Sequence, residues 1–522
     1  MTQTIKPDSH SQAVKPDKHP STLFILFFTE MWERFSYYGM RALLVLFLTS
    51  SIMDGGWGWE RAEALQLYGL YTGLVYLTPI IGGFIADRFL GYRNAIILGA
   101  LSMTLGHASM AAETPFFFYA GLLLIIIGNG LFKPNISSMV GQLYVNNEDK
   151  KDAAYTIFYM GINSGAFLGI LLCGYIGEKV GWSYGFGLAG IFMFFGMLQF
   201  TFSKKLFGNI GLSQKQVKGI NEAAGAVAVT EQKPADLPKH IERDRLIVIG
   251  VFAFFVIFFW MAFEQAGGSM TIFAKDYTNR VLEGNSANIF KWANAILVLV
   301  PLVILTGVLL NLFRDTFKRV AISNLFLATS FIIIWGIVLW MLNKEFQADA
   351  TEVPASWFGI LNSFFIISLA PVFSKMWQSK FNPSGPGKFA LGLILLGLGF
   401  AILAFGSSSI PQGAKTASIS MVWLILAYLF HTMGELCISP VGLSYVSKLS
   451  PPRLVGLMFG IWFVANFIAN NLAGFTGSFI DKITETYSLT VFFLIFTILP
   501  ILAGLVMLGL SKTLQKKMHG FH

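Results

Sequence analysis

Four charged side chains lie inside an apolar segment that is long enough to cross a lipid bilayer. Residues 23–48 contain Glu30, Glu33, Arg34 and Arg41 among aliphatic and aromatic residues. An ionised side chain at the centre of a membrane helix costs at least about 2.5 kcal/mol, so it requires a partner, a cavity or water. At about 100° per residue, the four side chains share one helix face with Tyr37 and Tyr38, and this face is roughly 140° wide. The segment therefore predicts a membrane helix whose polar face points into the protein.

The composition of the whole chain is that of a polytopic membrane protein. Of 522 residues, 55% are hydrophobic and only 12% are charged, whereas soluble proteins average about 25% charged residues. The net charge of +9 does not indicate a nucleic-acid partner, because most Lys and Arg residues fall in loops on one predicted side of the membrane. Cys173 and Cys437 lie in separate apolar segments, so we expect two free buried thiols.

Apolar runs of about 20 residues predict fourteen membrane helices in an all-α fold. They fall at 23–48, 63–86, 94–112, 116–143, 153–177, 182–203, 246–273, 287–312, 320–342, 356–378, 389–406, 419–446, 454–480 and 487–510. We predict this organisation: a cytoplasmic tail at 1–22, a six-helix bundle at 23–205, a cytoplasmic linker at 206–243, a second bundle at 244–511 and a cytoplasmic tail at 512–522. The second bundle includes two surplus helices, which we interpret as a lipid-facing accessory hairpin at 287–342.

Polar side chains also interrupt four later predicted helices. They are Lys133 in the fourth, Tyr159 and Asn163 in the fifth, Trp260 and Glu264 in the seventh, and His431, Glu435 and Ser439 in the twelfth. Acidic and basic groups nearly balance, as pairing inside a membrane requires. We therefore expect these helices and the first one to enclose a central cavity. Fixed cations attract a carboxylate and Glu435 attracts an ammonium group, so the cavity suits a zwitterion.

Parts of this pattern have simpler explanations. Any one ion pair could be structural and serve only to fix the packing of two helices. Asp87, Arg88 and Arg93 lie in the loop after the second predicted helix. They could form a charge network that breaks when the bundles move, or they could only set the orientation in the membrane.

Four sequence motifs, distributed over both predicted bundles, together resemble the signatures of a single protein family. They are Glu30-x-x-Glu33-Arg34 with the following Phe-Ser-Tyr-Tyr-Gly-Met-Arg, Gly82 to Arg93, Phe158 to Gly165, and Gly434-Glu435-Leu-Cys-Ile-Ser439-Pro440. They resemble signatures of the proton-dependent oligopeptide transporter family, a branch of the major facilitator superfamily. The resemblance implies a major facilitator fold with two six-helix bundles and an accessory hairpin. It also implies proton-coupled import of di- and tripeptides by alternating access.

The same resemblance implies roles for individual residues. The peptide carboxylate would contact Arg41, Tyr76 and Lys133, and the amino group would contact Asn163, Asn362 and Glu435. The side-chain pockets would be lined by Tyr38, Tyr159, Trp260, Ser439 and Trp462. Proton coupling would involve Glu30, Glu33, Arg34, Lys133 and Glu435. The gates would be the pairs Arg41–Glu264 and Lys133–Glu435, together with Asp87 and Arg88. Trp260 and Trp462 could instead be packing or interfacial aromatics, and Asn362 a packing amide.

Two positions bear on the route of the proton. Aligning Val75-Tyr76-Leu77-Thr78-Pro79 with the family's second helix puts Gly69 where some members carry a proton-coupling histidine. We therefore do not expect that mechanism here. His431 lies one helical turn before Glu435, where it could shuttle protons or be a packed histidine.

The sequence also bears on the class of protein. It shows no metal-ligand cluster and no nucleophile motif, so we expect a transporter with no metal and no cofactor, in which protons are the coupling ion. A channel would not need two unlike halves of complementary charge. The alternative substrate is another small anionic or zwitterionic solute, such as nitrate, an amino acid or a drug-like peptide mimic. We expect a monomer in the lipid bilayer of the bacterial cytoplasmic (inner) membrane, with both termini in the cytoplasm.

Overall fold

Fourteen long helices make up most of the described structure. The computed structural model describes residues 19–145, 147–213, 216 and 238–520. Within these ranges the long helices are α1 (Ser21–Thr49), α2 (Arg61–Ile85), α3 (Tyr92–Met110), α4 (Pro115–Leu143), α5 (Lys151–Lys179), α6 (Trp182–Ser203), α7 (Lys239–Phe263), α8 (Gly284–Thr316), α9 (Ala321–Gln347), α10 (Ile360–Gln378), α11 (Gly385–Gly406), α12 (Val422–Leu449), α13 (Val455–Gly477) and α14 (Leu489–Lys517). Their number agrees with the fourteen predicted helices. The rest of the predicted tails and linker, at 1–18, 214–215, 217–237 and 521–522, lies outside the described residues.

Composition alone identifies most of these helices as membrane spans. In the described part of the chain, twelve helices are long and apolar enough to cross a membrane. The charged residues of α1 exclude it from this set, although Glu30, Glu33 and Arg34 are each at most 3% exposed. Their burial means that α1 is covered by protein, as its polar face predicts.

Two helices extend beyond the predicted bounds of their bundle, into the predicted linker and tail. α7 begins at Lys239, inside the predicted linker, and α14 continues to Lys517, inside the predicted tail. One ion pair joins the two extensions to each other. Lys517 Nζ lies 2.6 Å from Asp244 Oδ1. Helical structure therefore continues past the apolar segments on which the predicted bounds rest.

The helices run alternately up and down between two ends of the molecule. We call the end that carries the loop between α1 and α2 the first-loop end, and the opposite one the second-loop end. Four two-residue strands lie at the first-loop end: β1 (Thr278–Asn279), β2 (Val281–Leu282), β3 (Thr351–Glu352) and β4 (Ile419–Ser420). β1 pairs with β4 in parallel, and β2 pairs with β3 antiparallel. These short ladders join the loops that follow α7, α9 and α11.

The helices form two six-helix bundles, α1–α6 and α7 with α10–α14, and the bundles contact each other along two helix pairs. α2 packs against α13, and α5 packs against α10. At the first contact Gly69 faces Gly474 so closely that a Cβ atom on Gly69 would lie 2.7 Å from the Gly474 Cα. A histidine at position 69 would therefore have no room. The packing gives a physical reason for this departure from the family pattern.

The accessory hairpin, α8 and α9, is inserted into the second bundle between α7 and α10, but it packs against the first bundle. Phe331 of α9 contacts Phe28 and Trp32 of α1, with ring centroids 5.7 Å apart in both cases. The Ser323 hydroxyl donates to the Gln199 carbonyl of α6 at 2.7 Å. The opposite face of the hairpin is exposed, as Ile332 at 71% shows. The hairpin thus has one protein-covered face and one face available to lipid.

Candidate functional site: a cavity between the two bundles

A cavity of about 260 Å³ lies between the bundles, and most of the predicted binding residues line it. Its walls come from α1, α2 and α5 on one side and from α7, α10 and α12 on the other. The predicted residues that line it are Tyr38, Arg41, Tyr76, Tyr159, Asn163, Trp260, Asn362, Glu435 and Ser439, together with Glu264. Side chains that are far apart in sequence therefore converge on one chamber.

Two predicted binding residues are not among the side chains that line the cavity. Lys133 lies behind Tyr76, with its ammonium nitrogen 4.7 Å from the centroid of the tyrosine ring. Trp462 is only 5% exposed, and it packs so closely against α12 that a Cβ atom on Gly442 would lie 2.5 Å from its ring. In this structure Lys133 is one side chain away from the chamber, and Trp462 is a packing residue.

An ion pair between the bundles closes the cavity toward the first-loop end. The guanidinium group of Arg41, on α1, binds the carboxylate of Glu264, just after α7. Arg41 Nε also donates to the Tyr68 hydroxyl at 2.7 Å, and that hydroxyl lies 3.3 Å from the Glu264 carboxylate. Glu264 is 2% exposed, so water screens the pair little. Sequence reasoning predicted the pair but missed Tyr68.

Toward the second-loop end, the corresponding pair of charged groups does not meet. No ion pair joins Lys133 to Glu435 among the described residues. Glu435 instead accepts a hydrogen bond from Asn362 Nδ2 at 2.8 Å. Tyr159 lines the cavity and is nevertheless 44% exposed. The chamber is therefore open on this side.

The three charged residues of the first motif form a cluster inside the first bundle. Arg34 Nε lies 3.0 Å from a carboxylate oxygen of Glu30 and also binds Glu33. Asn129 of α4 donates to the other Glu33 oxygen at 2.7 Å. One oxygen of Glu30 and one terminal nitrogen of Arg34 are buried without a hydrogen-bond partner in the described structure. The cluster therefore has unused capacity to accept and donate hydrogen bonds.

Comparison with known proteins identifies the family of the chain. A sequence model of the POT family matches residues 93–233 and 327–495. The chain belongs to the POT family. It is 31% identical to a di-/tripeptide transporter of Lactococcus lactis subsp. cremoris over 96% of both chains. It is also 32% identical to an uncharacterised transporter, YclF, of Bacillus subtilis (strain 168), again over 96% of both.

A solved structure shares the fold of this POT family member. The crystal structure of a peptide transporter POT in complex with sulfate superposes with a TM-score of 0.72, at 30% identity and over 97% of both chains. The chain is accordingly a multi-pass membrane transporter of the major facilitator fold and not an enzyme. In the described residues no group of His, Cys, Asp and Glu side chains is placed to hold a metal ion.

A second group of ion pairs between the bundles, centred on Arg61 at the first-loop end, was missed by sequence reasoning. Its guanidinium nitrogens lie 2.7 Å from Asp276 Oδ2 and 2.7 Å from Asp481 Oδ1, and they also donate to the Lys415 carbonyl at 2.9 Å. Its partners lie more than 200 residues away in sequence, so spacing within one helix gives no signal for them. The first-loop end is thus closed by more than one layer of polar contacts.

The loop after α2 of this POT family member does not form the expected network of charges. Asp87 and Arg88 are exposed in a short π-helical turn, and the Arg88 guanidinium lies 5.8 Å from the Phe84 ring centroid. Arg93 donates to the Ile210 carbonyl at 2.6 Å. Among the described residues no ion pair joins Asp87 to either arginine. Backbone carbonyls of the nearby turn satisfy Arg93, so the expected network is absent from this structure.

His431 occupies a packed position at the edge of the cavity. It is 1% exposed, and its ring centroid lies 4.4 Å from that of Phe400. Neither ring nitrogen has a hydrogen-bond partner in the described structure. A Cβ atom on Gly399 would lie 2.7 Å from the His431 Nε2 atom. The geometry favours the packed histidine over a proton shuttle.

Proposed function

We propose that this protein is a proton-coupled symporter that imports di- and tripeptides by alternating access. The observation that carries the proposal is the cavity itself, which has Arg41 on one bundle and Glu435 with Asn362 on the other. A peptide backbone has a carboxylate at one end and an ammonium group at the other, so these walls complement both ends. The name of the Lactococcus relative, a di-/tripeptide transporter, supports the same substrate.

The size of the cavity supports a small substrate. Its volume is about 260 Å³, near the lower limit of about 300 Å³ for small-molecule sites. We assign the carboxylate to Arg41 and Tyr76, with Lys133 behind them, and the amino group to Asn163, Asn362 and Glu435. Tyr38, Tyr159, Trp260 and Ser439 then remain for the variable side chains. Aromatic walls suit this task because they contact many different groups without a strict shape requirement.

The buried cluster on α1 is the proposed proton site. A proton on Glu33 or Glu30 cancels one of the two negative charges that hold Arg34, and the polar contacts inside the first bundle must then rearrange. Lys133 and Glu435 complete the proposed route: Lys133 lies behind Tyr76 on the first bundle, and Glu435 lines the cavity wall on the second. Protonation of Glu30 or Glu33 thereby changes the relative stability of the open and closed forms of the cavity, which couples proton binding to transport.

The excess of Lys and Arg in the loops of one side supports an orientation of the protein in the membrane. We place both termini and the second-loop end in the cytoplasm and the first-loop end outside, in the cytoplasmic membrane of a bacterium. In this orientation the structure is open to the inside. A single chain contains the whole cavity, so we propose that the monomer is the functional unit.

The proposed function is tested by transport in proteoliposomes. We expect dialanine to accumulate when the outside is acidic, and a protonophore to abolish the accumulation. Glu33→Gln should retain exchange of labelled for unlabelled dialanine but lose accumulation. The matched control is Glu485→Gln, which removes an exposed carboxylate at the first-loop end and should behave as wild type. If Glu33→Gln still concentrated dialanine at the wild-type rate, the role of Glu33 would be refuted.

A competition panel tests the substrate class. Dipeptides and tripeptides should displace labelled dialanine, whereas tetrapeptides, single amino acids and nitrate should not. Stronger displacement by nitrate or by an amino acid than by any dipeptide would contradict the peptide assignment.

A further inference from the structure

The last two turns of α5 dock onto the turn that starts α10, and this contact joins the two bundles. Leu171, Gly174 and Glu178 lie three and four residues apart, so they share one face of α5. Each of them meets the 3₁₀ turn Ala355–Gly359, which leads directly into α10. We call these three residues and this turn the α5 latch.

Glu178 caps the amino terminus of the turn from the other bundle. Its carboxylate accepts hydrogen bonds from the backbone N–H groups of Ala355, at 2.8 Å, and Ser356, at 2.9 Å. The Ser356 hydroxyl donates to the same carboxylate at 2.6 Å. The first N–H groups of a helix have no partners inside it and form a positive end. A carboxylate that accepts three hydrogen bonds there is held strongly.

The remaining contacts of the α5 latch require the two backbones to be close. Gly174 lies directly against Ser356, and a Cβ atom at position 174 would overlap with the serine hydroxyl. The Trp357 indole N–H donates to the Leu171 carbonyl at 3.0 Å. These two contacts and the Glu178 cap therefore depend on the same close approach of the backbones. They form together or break together.

The α5 latch borders the substrate cavity. Ala355, Ser356 and Gly359 line the chamber, and Asn362 follows on the first turn of α10. Separation of the turn from α5 would open the chamber beside these residues. It would also shift Asn362, the hydrogen-bond donor to Glu435. The contact therefore controls both the access to the cavity and one wall of the site.

We infer that the α5 latch is a gate of the transport cycle, with Glu178 as its positioning residue. It is closed in this inward-open structure and must separate when the first-loop end opens. The neighbouring Lys179–Glu352 pair also joins the bundles, at 2.7 Å, but its side chains are 26% and 43% exposed. Water screens such a pair, so it contributes less than the cap, in which one carboxylate accepts three hydrogen bonds. The inference rests on the alternating access proposed above.

Side-specific labelling tests the α5 latch without any substrate. Ala42 lines the cavity one residue after Arg41, so Ala42→Cys reports which end of the chamber is open. Cys173 and Cys437 are both buried and do not compete for a membrane-impermeant thiol reagent. In proteoliposomes of fixed orientation, the rate of labelling from the first-loop side should rise by at least about fivefold in Glu178→Gln, which replaces a charge-assisted acceptor by a neutral one. The matched control, Lys179→Ala, should change it by less than about twofold.

The outcomes separate the gate from a purely structural contact. Equal first-loop labelling in wild type and Glu178→Gln would overturn the inference, as would an equal rise in Lys179→Ala. If Glu178→Gln fails to fold, Ser356→Ala removes one of the three hydrogen bonds, and labelling should still rise by about twofold. No rise in that variant would also overturn the inference. Because labelling requires no peptide, a failure of peptide transport by the wild type would be recognised separately.

Discussion

The two ends of the cavity have similar sets of charged residues but are in opposite states. At the first-loop end, Arg41 is bound to Glu264, and Arg61 is bound to Asp276 and Asp481. At the second-loop end, Lys133 and Glu435 each have a partner in their own bundle, Tyr76 and Asn362. The charges on their own therefore do not determine which end is closed. What distinguishes the ends is whether each charge has its partner on its own bundle or across the gap.

The largest predicted effect is a loss of uptake when Glu264, the most buried carboxylate of the closed first-loop end, is removed. Glu264→Ala leaves Arg41 beside the cavity without its counter-charge, and removal of one partner of a buried ion pair costs about 3 to 5 kcal/mol. Uptake of dialanine should fall by about 100-fold or more. The measurement is initial uptake in proteoliposomes with an acidic exterior. An uptake within threefold of wild type would show that the first-loop end does not depend on this pair.

The second-largest predicted effect is on dipeptide affinity, and it shows whether Arg41 binds the substrate or only closes the cavity. Arg41→Ala should weaken binding of a dipeptide with a free carboxylate by about tenfold more than binding of the same dipeptide as its amide, because only the former loses a charge-assisted hydrogen bond. Competition against labelled dialanine measures both affinities. Equal losses for the two ligands would argue for a structural role.

A smaller effect is expected at the opposite wall. Asn362→Ala removes the amide that holds Glu435 in place, so a dipeptide with a free amino group should bind about five- to tenfold more weakly. The N-acetylated dipeptide, which lacks the ammonium group, serves as the matched ligand and should lose little further affinity. If both ligands were affected to the same extent, Asn362 would be a packing amide.

The smallest predicted effect is a change in Tm when Glu352, a partly exposed carboxylate at the closed first-loop end, is replaced. Burial opposes ionisation of Glu352, but hydrogen bonds and charge from Lys179 and Arg280 outweigh it and hold the pKa of that carboxylate below its usual value. A carboxylate with a lowered pKa stabilises the folded state above its ordinary pKa and loses this contribution as the pH falls through the lowered value. The difference in Tm between wild type and Glu352→Gln should therefore be small and constant from pH 6 to 8, and should shrink progressively as the pH falls below about 4. A difference that changes between pH 6 and 8 would contradict this assignment.

The sequence was sufficient to predict the helices and most of the cavity, because both depend on patterns within one helix. Apolar length identified fourteen spans, and polar spacing identified residues such as Tyr159 and Asn163 on one face. The helix extensions that begin at Lys239 and end at Lys517 were missed, since the ion pair between Asp244 and Lys517 that joins them is not visible in hydropathy.

Contacts between helices that are distant in sequence could not be predicted in the same way. Arg61 finds its partners more than 200 residues away, and Asn129 binds Glu33 from a different helix. Lys133 and Glu435 lie on different bundles, so the distance between them depends on how the bundles pack, which spacing within one helix does not show. Trp462 is buried because Gly442 leaves room for its ring, which is visible only once α12 and α13 are packed.

The most direct test of the account is a measurement of both ends in the same sample. Spin labels at Thr114 and Thr416 span the first-loop end, and labels at Lys205 and Lys380 span the second-loop end; all four residues are exposed. We predict that dialanine at acidic pH creates a population in which the first-loop distance lengthens while the second-loop distance shortens. If both distances lengthened together, or if neither changed under conditions that support transport, alternating access around this cavity would be contradicted.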